Sequence, residues 1–170
     1  LFNYPGFRKS ISCKELLSHI DCMAITCPYC NDNKVKVVDV DDKAGKVQKK
    51  AYLDFDHFYP KSQYPFLALS FFNLIPSCHD CNSRDKGDKI FTLKTHIHPY
   101  HESFDDHYRF KVPLESLLGD PVNDLGVENL GYKITDRTLE DIKLRERYSI
   151  YRKDVEDVIS YYRRNEHHLD

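Results

Sequence analysis

The stretch that decides the fold is Leu53–Lys89, LDFDHFYPKSQYPFLALSFFNLIPSCHDCNSRDKGDK. An apolar run ends in Asp56-His57, a second opens on Asn73, and Cys78-His-Asp-Cys81 leads directly into Asn82 and then Lys86-Gly-Asp-Lys89. Val47, Ala51, Leu53 and Phe55 alternate with polar or amphipathic neighbours, as a half-buried strand does. Val35 to Val40 reads as the strand before it, across a turn at Asp41–Gly45. The two predict a hairpin ending at Asp56-His57. Tyr59-Pro60 and Tyr64-Pro65 bracket a loop, because each proline removes an amide donor and blocks pairing, and Phe66–Phe72 reads as a helical turn inside it. Asn73–Ser77 reads as a short strand, and Cys78 onward as a helix carrying Asn82 and Lys86.

Upstream, Cys27-Pro-Tyr-Cys30 repeats the CxxC pattern. Zinc takes four tetrahedral thiolate or imidazole ligands, and Cys27, Cys30, Cys78 and Cys81 supply them. The 47 residues between the two pairs (31–77) exceed ordinary zinc-ribbon spacing, so the metal closes around an inserted unit bearing Asp56 and His57. Four cysteines leave no coordination position for water, which makes this zinc structural. Cys13 and Cys22 lack matched partners and read as small buried side chains.

The 170 residues suit one domain with a helical appendage. A formal net charge of -2 gives no global basic field, so a nucleic-acid substrate would need a local patch or a partner to hold it. No apolar signal or membrane-length run occurs, which makes a reducing cytoplasm the expected compartment and zinc a better use of paired cysteines than disulfides. The chain starts at Leu1, so a preceding residue or segment is expected.

Residues 1–11 read as an aromatic lead-in. Ser12 and Glu15 fit a capping box, with Ile11 and Leu16 as a hydrophobic staple, for a helix running to about Ala24 through Ile20 and Met23. His96, His98, His101 and His107 fit neither a helix nor a strand face and read as loop histidines among aromatics. From Glu102 to Asp141 ten acidic residues stand against four basic ones, in loops with short strands at Tyr108–Val112 and Gly131–Thr135. Thr138 and Asp141 fit a cap for a long final helix, with Tyr148, Tyr151, Val155, Val158, Ile159 and Tyr162 on one stripe. That stripe packs on its own domain or docks a partner. The fold class is therefore α+β: a lead-in and helix over 1–26, a zinc-clamped core over 27–100, and a mixed region with the C-terminal helix over 101–170.

Asp-His-Phe, then Asn73 fifteen positions beyond Phe58, then CxxC-Asn resembles the HNH or ββα-metal nuclease family, four-cysteine subclass, across about half the chain. The resemblance implies endonucleolytic hydrolysis of phosphodiester bonds, with His57 as general base and Asn73 orienting the loop. It implies a catalytic Mg²⁺ or Mn²⁺ held by Asp56 and Asn82, besides the structural zinc. Neutral imidazole is suited to taking a proton from water near neutral pH, and carboxylate and amide oxygens suit a hard cation. Lys86, Lys89 and His79 are substrate-binding candidates, although Asp85 adds one residue before Lys86-Gly87 relative to the family's usual wording. HFYPKSQYP…FFNLIPSCHDCNSRDKGDK is closest to HNH nucleases of bacterial anti-phage defence systems, of the Septu type and some retrons, encoded beside an ATPase. That implies DNA as substrate and an ATPase partner. Competing readings are a non-catalytic zinc module binding nucleic acid or protein, and a nuclease directed at RNA.

Overall fold

The computed structural model describes residues 3–20, 26–41, 45–131, 133 and 135–165, with backbone alone at 18 and 20. Among these the chain is α+β: short helices and three two-stranded antiparallel sheets. The lead-in is itself helical, α1 (Tyr4–Lys9), with Pro5 in its first turn and the Asn3 side chain accepting from the Gly6 amide. α2 follows over Ile11–Ile20. Its cap is Ser10 rather than Ser12, because the Ser10 hydroxyl accepts from the Cys13 amide at 3.2 Å. The expected continuation through Cys22 and Met23 to Ala24 lies outside the described residues, as do parts of the Asp41–Gly45 turn and of the 131–135 strand.

β1 (Lys36–Asp41) pairs with β2 (Val47–Tyr52) from Lys36 opposite Tyr52 to Asp41 opposite Val47. The second strand of the expected hairpin does not run on to His57. It breaks at buried Leu53, and β3 (Asp54–His57) pairs instead with β4 (Leu74–Ser77), His57 opposite Leu74 and Asp54 opposite Ser77. The reason is burial: β2 is solvent-facing on most residues, whereas Phe55, Asp56 and His57 and all of β4 are buried. The connecting loop carries helical turns at Pro65–Leu67 and Phe71–Asn73. After β4 comes α3 (Asp80–Lys86), a wide helix ending at Gly87, whose φ of 53° is left-handed and so suits glycine.

Downstream are α4 (Phe104–His107), β5 (Tyr108–Lys111), α5 (Leu114–Leu118) and β6 (Gly126–Asn129), with β5 and β6 paired. Three of the four clustered histidines have partners of their own. His96 stacks on Phe91 and bonds Asp141, His98 bonds the Phe72 carbonyl, and His107 pairs with Glu102. The expected single C-terminal helix is three: α6 (Thr138–Asp141), α7 (Leu144–Tyr148) and α8 (Arg152–Arg164). Lys143 in the left-handed region, φ 57°, separates the first two, and the Asp136 carboxylate rather than Thr138 caps the start. Leu139, Ile142, Leu144 and Tyr148 enter the core with Phe58, Leu74, Ile75 and Phe91. On α8, Val155 and Ile159 are half-buried while Val158 and Tyr162 are exposed.

Candidate functional site

Cys27, Cys30, Cys78 and Cys81 are all buried, and their sulfurs lie within 4.8 Å of one another, Cys30 and Cys78 at 4.0 Å. Tetrahedral zinc with Zn–S bonds of about 2.3 Å sets sulfurs roughly 3.8 Å apart. The cluster is compatible with a structural zinc. Cys27 and Cys81 are pushed up and Cys78 down, and Cys30 is pulled down to about 7, each mainly by hydrogen bonding among the sulfurs. The four thiols thus divide their protons, whereas a dication stabilises all as thiolates. Arg147 on α7 sets a guanidinium 3.1 Å from the Cys81 sulfur, and the Tyr148 hydroxyl donates to the Cys30 carbonyl. The tail of the core therefore packs against the cluster, and the Tyr148 end of the predicted stripe faces its own domain.

Beside it, α1, β3, the loop after β3 and α3 wall a cavity of about 580 Å³ reaching Asp54, Asp56, His57, His79, Asn82 and Lys86. His57 is buried at the end of β3, its Nε2 3.0 Å from the Ala68 carbonyl. A carbonyl only accepts, so Nε2 carries the proton and a neutral ring leaves Nδ1 as its free-lone-pair nitrogen. Burial, above all, holds His57 below the ordinary imidazole range, and the nearby Lys61 charge acts in the same direction. Asn73 is 3% exposed and fixes the loop that supplies Ala68. Its amide donates to the Tyr59 and Leu67 carbonyls, and its oxygen accepts from the Tyr59 amide at 2.7 Å. Asn73 thus clasps the loop that follows β3.

The carboxylates divide in a way that adjacency in sequence does not reveal. Asp56, 2% exposed, accepts from the Tyr29 hydroxyl at 2.6 Å and from the Lys86 ammonium at 2.9 Å. Burial, the largest influence, pushes its carboxyl up, with Lys86 and Tyr29 pulling down. Lys86 also donates to the His57 carbonyl at 2.7 Å and lies 5.0 Å from the Phe91 ring centre. Its ammonium faces inward, with only 1% of the side chain exposed, so the expected phosphate contact is replaced by a buried ion pair. Asn82 meets Asp54 and not Asp56: its amide is 3.2 Å from Asp54 Oδ2, which also bonds His79 Nδ1 at 3.0 Å. Lys89 donates to the Asp141 carbonyl instead of facing the cavity lining.

Strand alternation could have suggested this. Asp54 and Asp56 share one face of β3, and Asp54 lies closer to the Ser77 end of β4, from which α3 departs. Tyr4 gave no such signal. Its ring meets the His57 imidazole edge-on at 4.6 Å, and its hydroxyl reaches the Phe55 carbonyl.

The Lys86–Asp56 pair carries a prediction of its own. Removing one member of a buried pair costs about 3–5 kcal/mol, because the other charge stays desolvated. Lys86→Met should therefore lower the thermal midpoint sharply, and adding Asp56→Asn should recover part of the loss. Melts of the single and double variants check this, and a single variant as stable as the parent would contradict it.

Comparison with known proteins yields two partial likenesses. Over 76 residues the chain is 34% identical to the protein ea31 of Escherichia phage lambda, covering 44% of this chain and 20% of that protein. Over 62 residues it is 32% identical to the Septu protein PtuB of Bacillus thuringiensis, covering 36% of this chain and 24% of that protein. The match therefore spans a quarter or less of each curated relative. No family profile and no solved structure matches the chain. Among the described residues no helix is long and apolar enough to cross a membrane.

Proposed function

We propose that this chain is a metal-dependent endonuclease of the HNH type that hydrolyses phosphodiester bonds in DNA. The observation that carries the reading is His57, proton fixed on Nε2 by the Ala68 carbonyl, at the wall of a cavity shared with Asp54, His79 and Asn82. In this reading His57 Nδ1 takes the proton of the attacking water, and Asn73 holds the Ala68 loop that sets the ring's tautomer. The Asp54 carboxylate and the Asn82 amide oxygen are hard donors that suit Mg²⁺ or Mn²⁺, with the His79 imidazole beside them. A bound divalent ion would supply charge neutralisation at the phosphate and acidify the water. Asp54 takes the carboxylate role that the resemblance implies for Asp56, because both Asp56 oxygens already serve Lys86 and Tyr29.

Loss of an outer-shell partner of a metal site costs roughly 10–100-fold in affinity, and a direct ligand costs at least as much. Asp54→Asn should therefore raise the half-saturating Mg²⁺ or Mn²⁺ concentration at least about tenfold. Asp56→Asn should leave it near the parent value. Metal titrations of cleavage separate the two carboxylates, and the opposite ranking would return the ligand role to Asp56.

The likeness to the Septu protein PtuB supports a place in anti-phage defence, and resemblance to nucleases encoded beside an ATPase supports such a partner. The test is a cleavage assay on plasmid, single-stranded DNA and RNA in Mg²⁺, Mn²⁺ and chelator, with and without any neighbouring ATPase. Divalent-dependent scission of DNA supports the proposal. Binding without scission under every condition would favour a non-catalytic zinc module, and scission of RNA alone would move the substrate class.

A further inference from the structure

With a net charge of -2, the chain needs some local feature to hold a polyanion. The cavity beside His57 is lined by Asp54, Asp56, Asp88, His79 and Asn82, and also by Tyr4, Arg8 and Lys61. Arg8 stacks its guanidinium over the Phe55 ring at 4.9 Å and approaches the Cys13 sulfur at 3.8 Å. Lys61 sits 5.0 Å from the Tyr4 ring centre. Among the described residues neither cation has a carboxylate partner, although Asp54 and Asp88 line the same cavity. Exposed cations usually find an acid or face solvent. Here two are held by aromatic rings, at the wall of the cavity that Asp54, His79 and Asn82 also line.

We propose that Arg8 and Lys61 form the phosphate-binding wall of this site, gripping the phosphodiester backbone next to the bond that His57 faces. The inference rests on the nuclease reading and deepens it by assigning substrate capture to α1 and the loop after β3. The physical basis is simple. A guanidinium presents a planar fork of donors to phosphate oxygens, and such contacts position the backbone without reading sequence. The Tyr4 and Phe55 rings hold the two cations in place, while Tyr4 also braces His57. Grip and base are thereby joined through one aromatic side chain.

The test measures binding, independent of turnover. Fluorescence anisotropy with a fluorescein-labelled duplex DNA, a single strand and an RNA of the same sequence is followed in Ca²⁺ over a salt series. The zinc-loaded proteins compared are the parent, Arg8→Gln, Lys61→Gln, the double variant, and Lys94→Gln as an exposed cation outside the cavity lining. Each cavity substitution should weaken binding several-fold at low salt. Each should also reduce the slope of log K against log salt by about 0.9 on duplex and about 0.7 on single strands, with thermal midpoint and zinc content unchanged. Lys94→Gln should do less, and the nucleic acid most affected identifies the source of the backbone. A double variant that binds like the parent, or a Lys94→Gln effect as large, overturns the assignment while leaving the nuclease reading standing. Parent protein that binds none of the three and cuts none overturns both.

Discussion

His57→Ala should lower cleavage by about 10²–10⁴-fold, the usual contribution of a positioned general base, with fold and zinc content retained. The side chain sits at the end of β3, and what it gives up is one bond to the Ala68 carbonyl and an edge contact with Tyr4. Neither holds the zinc cluster or the β3–β4 pairing. The pH dependence follows from the same geometry. His57 acts as a base only when neutral, and burial lowers its pKa. The neutral form should therefore persist at pH 7, and cleavage should fall on an acid limb below about 6.5, the ordinary imidazole value. A parent profile with its acid limb above that value would contradict the assigned environment, and loss of the limb in a residually active variant would support it.

Stripping the zinc should have the largest effect on stability. Structural zinc contributes about 10–16 kcal/mol of binding energy in small four-ligand sites, while a whole domain is stable by only about 5–15 kcal/mol. The cluster ties Cys27 and Cys30 to Cys78 and Cys81 across the β1–β4 insert, and Arg147 and Tyr148 lean on it from α7. Removal would leave four buried sulfurs sharing protons beside the half-buried Arg147 guanidinium. Dialysis against a strong chelator should abolish the cooperative thermal transition, and Cys27→Ser should act in the same direction. A chelated protein with its midpoint intact would show that the cluster does not hold the fold.

Where sequence succeeded, the signal was local or stoichiometric. Two CxxC pairs announce four sulfurs in one place, and they do lie together. The misses were matters of long-range packing. The strand thought to run from Val47 to Phe55 divides because only its second part meets β4, a partner twenty residues onward that periodicity does not identify. Lys86 looked like a surface lysine on a helix. Its direction was set by Asp56, thirty residues earlier, and by Phe91. The lead-in carried no motif at all, yet its helix lays Tyr4 and Arg8 against the site. Asp56 is the carboxylate next to His57 in sequence, but a strand's alternation puts Asp54 on the same face as Asp56.

The account turns on one measurement: single-turnover cleavage of an end-labelled DNA duplex by zinc-loaded parent and His57→Ala protein, each in Mg²⁺ and in EDTA. Scission by the parent in Mg²⁺ alone, reduced at least about a hundredfold in the variant, is the predicted result. Equal cleavage by both proteins, or cleavage that persists in EDTA, would contradict it.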